Sequence, residues 1–231
     1  MLIGGIHRFS LIDFPKKIAC TVFTLRCNLR CHYCHNPELV DPAQHSERML
    51  PELFFDFLQD RHGKLDGVVI TGGEPTLQPD LPEFCKKIKD MGFLVKLDTN
   101  GTNSEMLTQL VREKLVDYIA MDIKAPLEKY REVTGVSDTA ITAEVQKSLT
   151  FMSASSVQHE FRTTVVKGLL SEKDIMAIGD LLQDNQTYIL QKFAASQTLC
   201  PAYADAEPFS DETIDKLCKK LLKNGVKAFS R

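Results

Sequence analysis

Short apolar runs alternate with amphipathic stretches along most of this chain. The apolar runs carry hydrophobic residues on both faces, a pattern typical of parallel strands buried under helices. These runs predict strands over residues 18–24, 67–71, 93–98, 118–122, 159–166 and 187–193. Other stretches repeat apolar residues at helical spacing and predict helices over residues 50–62, 81–91, 104–114, 142–152, 171–182 and 211–223. Asp80 and Ser210 precede two of these helices as expected N-caps.

This order of elements predicts an α/β fold. Strands that alternate with helices call for a parallel sheet joined by right-handed helical crossovers. Six such units are too few for a closed (β/α)8 barrel, so we expect a partial, open (β/α)6 barrel with parallel strands. No linker or low-complexity segment interrupts the series, and we therefore predict a single domain over residues 1–231. Within it, a leading segment (1–17) precedes the barrel core (18–195) and a C-terminal helical closure (196–231).

Composition and charge exclude several classes of protein. With 43% hydrophobic and 26% charged residues among 231, the chain has the composition of an ordinary globular protein. A net charge of −3 provides no basic field, so no nucleic acid partner is expected. The sequence shows neither an apolar run long enough to span a bilayer nor a secretion signal, so no membrane association is expected. Seven cysteines, an odd number, indicate a reducing compartment and a cytoplasmic protein.

Three of these cysteines stand close together directly after the first core strand. Cys27, Cys31 and Cys34 follow a C-x3-C-x2-C spacing, and Pro37 and Pro42 mark a loop beyond them. Three thiolates are an incomplete set for a [4Fe–4S] cluster, which normally takes four, so one iron would be open to a ligand that is not protein. Half of a zinc site and a disulfide are the alternatives. Zinc would need a second cysteine pair, which the chain lacks, and a reducing compartment disfavours a disulfide.

Unusual residues also follow the next three strands. In β/α barrels the chemistry collects at the carboxyl ends of the strands. The second strand ends in Thr71-Gly72-Gly73-Glu74-Pro75, where paired glycines would let the backbone approach a charged ligand, although such a turn is also an ordinary connection. The third strand ends in Asp98-Thr99-Asn100-Gly101 and the fourth in Asp122-Ile123-Lys124. Asp98 could equally be a turn cap, and Asp122 with Lys124 a surface ion pair.

Together these motifs resemble the radical S-adenosylmethionine (radical SAM) superfamily, whose core is a partial (β/α)6 barrel. The resemblance implies that Cys27, Cys31 and Cys34 bind a [4Fe–4S] cluster. It also implies that the open iron binds the amino and carboxylate groups of S-adenosylmethionine, with Tyr33 near the adenine. In the superfamily the stretch that matches Gly72-Gly73-Glu74 supports the methionine amino group of this cosubstrate.

The third and fourth strand ends resemble segments of the glycyl-radical-enzyme activating enzymes, of which pyruvate formate-lyase activase is the best-known type. The resemblance implies a monovalent cation beside the cosubstrate, held by hard oxygen ligands. These ligands would be the side chains of Asp98, Thr99 and Asp122 and the carbonyl group of Ala120. By the same resemblance Lys124 would reach the carboxylate or ribose of the cosubstrate, Asn36 would contact the cosubstrate, and Arg162 would face the site.

The resemblance further implies an activity and a partner. A radical SAM oxidoreductase of this kind cleaves S-adenosylmethionine reductively and uses the 5′-deoxyadenosyl radical to form a glycyl radical on a glycyl radical enzyme. Its electron donor would be a protein such as flavodoxin or ferredoxin. The opening Ser10–Pro15 stretch is most like the branch that activates anaerobic ribonucleoside-triphosphate reductase, so this anaerobic ribonucleotide reductase is the expected partner. The chain differs from many activases at Arg26, where they carry glycine.

Two other functions remain as alternatives. One is a small-molecule or peptide-modifying radical SAM enzyme, such as a 7-carboxy-7-deazaguanine synthase. The other is a non-catalytic Fe–S electron-transfer protein, which would want a fourth cysteine and would have no need of the Gly-Gly-Glu-Pro turn. Strand alternation places Gln191 and Lys192 on opposite faces and leaves their roles open.

Overall fold

Among the residues that the structure describes, 1–41 and 48–231, eight strands form one sheet in the order in which they follow one another in the chain. The structure is a computed structural model, and Pro42 of the expected loop lies outside the described residues. The strands are β1 Ile3–Ser10, β2 Ala19–Thr24, β3 Gly67–Gly72, β4 Leu94–Thr99, β5 Tyr118–Asp122, β6 Gln158–Val165, β7 Thr187–Lys192 and β8 Lys227–Ser230. β1 pairs antiparallel with β2, whereas β2–β3, β3–β4, β6–β7 and β7–β8 pair in parallel. The sheet is mostly parallel and not closed, and the predicted α/β fold class is confirmed.

Helices connect these strands, and all six predicted helices are present with ends that differ by a few residues. The helices are α1 Pro37–Val40, α2 Pro51–Gln59, α3 Leu81–Asp90, α4 Ser104–Arg112, α5 Tyr130–Thr134, α6 Ala140–Ala154, α7 Glu172–Gly179 and α8 Asp211–Lys223. The sequence did not predict α1 and α5, because four or five residues hold too little of a helical repeat. None of the helices in the described part of the chain has the length and apolar character needed to cross a bilayer.

Hydrogen bonds at the helix starts support two of the three caps that matter for the fold. Ser210 accepts a hydrogen bond from the backbone N–H of Thr213, so the predicted cap of α8 is confirmed. Asp80 stands at the N-cap position of α3 but makes no capping hydrogen bond, and its carboxylate pairs instead with the N-terminal ammonium of Met1. α7 begins with a capping box between Ser171 and Asp174, which satisfies two backbone N–H groups at once.

The eighth strand is an element that the sequence did not predict. β8 is four residues long, three of them exposed, so it carries no buried apolar run. It pairs with β7 in a register that sets Tyr188 opposite Ala228 and Leu190 opposite Ser230. The C-terminal segment expected to be a helical closure therefore contains a strand as well as α8.

The chain forms two compact units. The first consists of Met1–Asn28, Glu38–Thr99 and Glu105–Ile119, and the second of Leu29–Pro37, Asn100–Ser104 and Ala120–Arg231. In the first, α2 and α3 pack through aromatic rings, with the ring centroids of Phe54 and Phe84 5.4 Å apart. In the second, Leu217 and Leu221 of α8 are buried. Each such side chain contributes about 1.5–3 kcal/mol when it leaves water. The single domain predicted from the sequence stays a prediction.

Candidate functional site

The turn after β3 is fastened to the chain that leaves β2, within the first unit. The backbone N–H of Gly73 donates to the carbonyl of Thr24 (2.8 Å), and that of Glu74 donates to the carbonyl of Arg26 (2.7 Å). Gly72 has a φ of 115°, a backbone conformation that residues other than glycine rarely adopt. A Cβ on Gly73 would overlap the carbonyl oxygen of Arg26. The paired glycines are therefore required by close packing of one backbone segment on another.

This packing decides which backbone groups of the turn could bind a ligand. The N–H groups of Gly73 and Glu74 are already used within the unit. An ammonium group is a donor and binds to acceptors. If the turn supports the amino group of S-adenosylmethionine, as the resemblance implies, carbonyl oxygens rather than N–H groups would have to do so.

Arg26 stands where many activases carry glycine, and its backbone adopts a conformation that favours glycine. Its φ of 78° lies in the left-handed region, where glycine is favoured. The N–H of Arg26 donates to the carbonyl of Leu39 (2.8 Å), so the strained residue is held in place on both sides. A non-glycine residue in this conformation costs about 1 kcal/mol.

Glu74 is buried, at 1% exposure, and ties the turn to the end of β4. Its Oε1 accepts hydrogen bonds from the backbone N–H of Thr76 (3.0 Å), the hydroxyl of Thr76 (2.5 Å) and the hydroxyl of Thr99 (2.7 Å). The resemblance assigned Glu74 to the cosubstrate and Thr99 to a cation. In the structure the two side chains bind each other, and their predicted ligand contacts stay predictions.

Asp98 forms an ion pair with Lys96, two residues earlier on the same face of β4. The Lys96 side chain is 1% exposed and the Asp98 side chain 14%. The Nζ of Lys96 also lies 6.0 Å from the ring centroid of Tyr118. Sequence reasoning missed Lys96, although a lysine inside the apolar run Leu94–Leu97 was a usable signal, since buried lysines need a partner.

The cysteine loop of the second unit is held by backbone hydrogen bonds on two sides. On one side the N–H of Arg30 donates to the carbonyl of Thr134 (2.8 Å), at the end of α5. On the other side the N–H of Leu199 donates to the carbonyl of Cys34 (2.9 Å). The N–H of Cys200 likewise donates to the carbonyl of His32, also at 2.9 Å. Within the loop, the N–H of Cys34 donates to the carbonyl of Cys31 (3.0 Å) and closes a tight turn.

Ring contacts add to this attachment. The rings of His32 and Tyr203 stack with their centroids 6.1 Å apart and their planes within 6°. The exposed His35 stacks on Phe193, directly after β7, at 4.9 Å. These contacts join residues far apart in sequence, so no local pattern could have predicted them. Asn36, expected to contact the cosubstrate, is exposed beside them.

Cys31 and Tyr33 are buried in this loop at 8% and 5% exposure. Burial raises the pKa of the Cys31 thiol to about 11, although nearby Lys124 acts to lower it. Burial likewise raises the pKa of Tyr33 above its usual value, again against the influence of Lys124. Among the described residues, no group accepts from or donates to the Tyr33 hydroxyl. A buried hydroxyl without a partner costs about 1–3 kcal/mol, so this position is suited to a polar atom of a bound ligand.

Asp122 joins two cationic side chains at the end of β5. Its carboxylate accepts from Arg162 Nε at 2.7 Å and from Lys124 Nζ at 2.9 Å. Burial acts to raise the pKa of Asp122, but Arg162 and then Lys124 hold it well below its usual range. Burial acts to lower the pKa of Lys124, whereas Asp122, Tyr33 and Cys31 keep it well above the ordinary value. The three side chains are therefore charged at neutral pH, with Lys124 electrostatically coupled to the cysteine loop.

Ala120 and the pair of residues at the end of β7 remain to be placed. Ala120 is fully buried in β5. Lys192 pairs with Asp211 (2.6 Å) at the surface, which leaves Gln191 on the opposite face of β7.

The boundary between the two units lies after Asn28, so Cys27 belongs to the first unit and the other two cysteines to the second. In the described residues, no group of three or more His, Cys, Asp or Glu side chains could by itself hold a metal ion. Convergence of the three thiols remains a prediction from their spacing.

The structure combines a mostly parallel sheet with a cysteine loop after the first parallel strand, and the comparison with known families identifies the class of protein. A model of the radical SAM superfamily matches residues 21–169, which is more than half of the sequence. The chain belongs to the radical SAM superfamily. It is a radical SAM enzyme related to the glycyl-radical enzyme activating enzymes, as the following similarities show.

A Methanocaldococcus jannaschii protein provisionally named a glycyl-radical enzyme activating enzyme is 37% identical over 198 residues, which cover 83% of this chain and 80% of that protein. The pyruvate formate-lyase-activating enzyme of Clostridium pasteurianum is 34% identical over 145 residues, 58% of this chain and 59% of that enzyme. The crystal structure of Streptococcus suis SuiB bound to S-adenosylmethionine matches with a TM-score of 0.67 at 12% identity. That match covers 90% of this chain and 48% of SuiB, and at such low identity it shows the fold alone.

Proposed function

We propose that this enzyme forms a glycyl radical on a partner enzyme, and that the partner is an anaerobic ribonucleoside-triphosphate reductase. The observation that carries the proposal is the coupling of the Asp122–Lys124 pair to the cysteine loop. Lys124 acts on the pKa of both Cys31 and Tyr33, so the acid-lysine motif typical of the activases lies beside the expected cluster loop. Relatives named as activating enzymes support the class of target. The Ser10–Pro15 stretch supports the reductase.

The donor groups suit a [4Fe–4S] cluster and S-adenosylmethionine. Cys27, Cys31 and Cys34 would hold the cluster as thiolates, and iron binding would release the proton that burial keeps on Cys31. The orphaned hydroxyl of Tyr33 provides a polar contact for the nucleoside part of the cosubstrate. Lys124, kept charged by Asp122, would face its carboxylate. The exposed Asn36 and the carbonyl groups of Gly72 and Gly73 would complete the binding of the amino-acid part.

Held by Cys27, Cys31 and Cys34, a reduced cluster would supply one electron for cleavage of S-adenosylmethionine to methionine and a 5′-deoxyadenosyl radical. Transfer of a hydrogen atom from a glycine of the partner to this radical would give 5′-deoxyadenosine and a glycyl radical. The electron would come from a protein such as flavodoxin or ferredoxin in the cytoplasm. The share of this chain is to orient the cosubstrate and to exclude water around Cys31 and Tyr33, both of which are buried.

The test begins with anaerobic reconstitution of the enzyme, addition of dithionite and S-adenosylmethionine, and measurement of 5′-deoxyadenosine. The same mixture with an anaerobic ribonucleotide reductase should give the EPR doublet of a glycyl radical, whereas a pyruvate formate-lyase should not. Formation of 5′-deoxyadenosine without a radical on either partner would overturn the proposal and favour a small-molecule or peptide substrate. Absence of 5′-deoxyadenosine from a protein with its full iron content would overturn both functions.

A cysteine variant tests the ligand set within the same assay. Cys31→Ala should lose iron, sulfide and 5′-deoxyadenosine formation, because two thiolates hold the cluster poorly. Cys218→Ala is the matched control, since Cys218 lies partly buried in α8 and has no role in the proposed site. Equal iron content in the two variants would contradict the assignment of Cys31.

A further inference from the structure

We infer that the ammonium group of Lys96 takes the place of an alkali cation at Asp98, so that this enzyme binds S-adenosylmethionine without a monovalent cation. The inference goes beyond the proposed function, because it concerns binding of the cosubstrate and not the identity of the partner enzyme. It begins from the ion pair inside the first unit, where Lys96 at 1% exposure meets the carboxylate of Asp98.

The burial of Lys96 favours this pair. Lys96 stands in the middle of β4, between the buried Val95 and Leu97, where its side chain has almost no access to water. A charged ammonium in such a place needs an anion, and Asp98 is within direct contact on the same face. The pair is also tethered covalently, so it pays no entropy of association, unlike a dissolved ion.

An alkali cation at Asp98 would have to share the carboxylate with this ammonium. Two like charges in contact repel, and the repulsion is strong where water is excluded. An alkali cation binds best where its oxygen ligands carry a net negative charge. Around Asp98 that charge is already compensated, so the residues present do not fit the cation that the resemblance to activases implies.

The second acid that the resemblance gave to the cation is also compensated, within its own unit. Asp122 holds both Arg162 and Lys124 by hydrogen-bonded ion pairs. Within the described residues, each of the two acids is therefore paired with at least one cationic side chain. Each carboxylate is oriented by groups that are part of the protein, and Lys96 would act on the cosubstrate through Asp98, as a positioning residue.

The test is cation dependence at constant ionic strength. Binding of S-adenosylmethionine to the anaerobically reconstituted enzyme is titrated in potassium, sodium or choline chloride, and 5′-deoxyadenosine formation is followed in the same buffers. The dissociation constant should change by less than about twofold between salts. A saturable tightening of about tenfold or more in potassium or sodium would overturn the inference.

Variants separate a cation substitute from a merely structural lysine. Lys96→Met removes the charge at similar volume, and should make binding of S-adenosylmethionine dependent on potassium or sodium. Lys96→Arg keeps a positive charge, and should remain independent of the salt. A folded Lys96→Met enzyme whose affinity no alkali cation restores would overturn the inference. If Lys96→Met does not fold, the double variant Lys96→Met with Asp98→Asn removes both charges of the pair and can be used instead. The titration of the wild-type enzyme in the different salts still decides between the two outcomes.

These outcomes are distinct from failure of the proposed function. The measurements need S-adenosylmethionine alone and no partner enzyme. An enzyme that activates no reductase would still give a dissociation constant in each salt. Loss of salt independence would in turn leave the glycyl-radical assay unchanged as a test of the partner.

Discussion

Tyr33 carries a buried hydroxyl within the cysteine loop. Its hydroxyl is buried and unpartnered in the described protein, whereas its ring is packed at 5% exposure. Tyr33→Phe should therefore leave the free energy of unfolding of the ligand-free enzyme unchanged or raise it by about 1 kcal/mol. The same variant should bind S-adenosylmethionine several-fold more weakly. Calorimetric titration and denaturant unfolding measure the two effects, and a fall in stability with unchanged affinity would contradict the assignment.

Asp122 gives a prediction about pH. Its pKa is held below the ordinary value of about 3.9, so its ion pairs contribute stability above that value and lose it as the pH falls toward the lower folded pKa. Asp122→Asn should cost about 3 kcal/mol at pH 7, because Arg162 and Lys124 lose their anion. The difference between wild type and variant should shrink as the pH falls below about 4. Urea unfolding across this range is the measurement, and a difference that stays constant with pH would show that Asp122 acts through packing.

Charged residues also mark the limit of what the sequence could predict at this scale. Asp98, Asp122 and Lys124 were visible as polar residues at strand ends. Lys96 was not assigned, because its meaning depends on burial on both sides of β4 and on the carboxylate two residues later. A strand pattern gives the face of a side chain but not its partner.

At the scale of elements, the loops after β2 and β3 act as one structure. Gly73→Ala would bring a methyl group into contact with the carbonyl group of Arg26. Because these are backbone atoms, a change of side-chain rotamer cannot relieve the overlap. We expect a loss of at least about 2 kcal/mol in the free energy of unfolding, together with loss of reconstituted iron. Gly5→Ala is the matched control, since a Cβ there meets nothing within 4 Å and its φ is not positive. Equal stability of the two variants would show that the loop can relax.

Most elements could be predicted, because buried parallel strands and amphipathic helices carry strong periodic signals. The β8 strand could not, since it is short and mostly exposed and its sheet hydrogen bonds are made to β7, a segment distant in the chain. The hydrogen bonds of Leu199 and Cys200 to the cysteine loop could not be predicted either. They join segments far apart in the chain, and no single-sequence pattern encodes such a contact.

At the scale of the whole molecule, the end of the sheet in the second unit is fastened by a charge pair. Arg231 donates to both carboxylate oxygens of Glu160, at 3.0 and 3.3 Å, and Glu160 is 2% exposed. Arg231→Ala should lower the free energy of unfolding by about 1–2 kcal/mol, less than for a fully buried pair because Arg231 is partly exposed. Lys223→Ala, at the surface end of α8, should change it by less than about 0.5 kcal/mol.

Chemical unfolding of both variants is the measurement for this pair. Identical midpoints would show that Glu160 is stabilised by other contacts. Agreement with the expected loss would mean that Arg231, the residue directly after β8, stabilises the second unit through the buried Glu160.

The attachment of the cysteine loop to Leu199 and Cys200 has a consequence for the folding of the protein during synthesis. During synthesis the cysteines at 27–34 leave the ribosome long before Leu199, Cys200 and Tyr203, which contact their loop. Until that later segment arrives, the thiols belong to a nascent chain whose loop lacks one of its two supports. We expect iron–sulfur delivery to be post-translational, with the thiols exposed to oxidation and to stray metal in the interval. We therefore expect cluster insertion to follow the attachment of Leu199 and Cys200 to this loop.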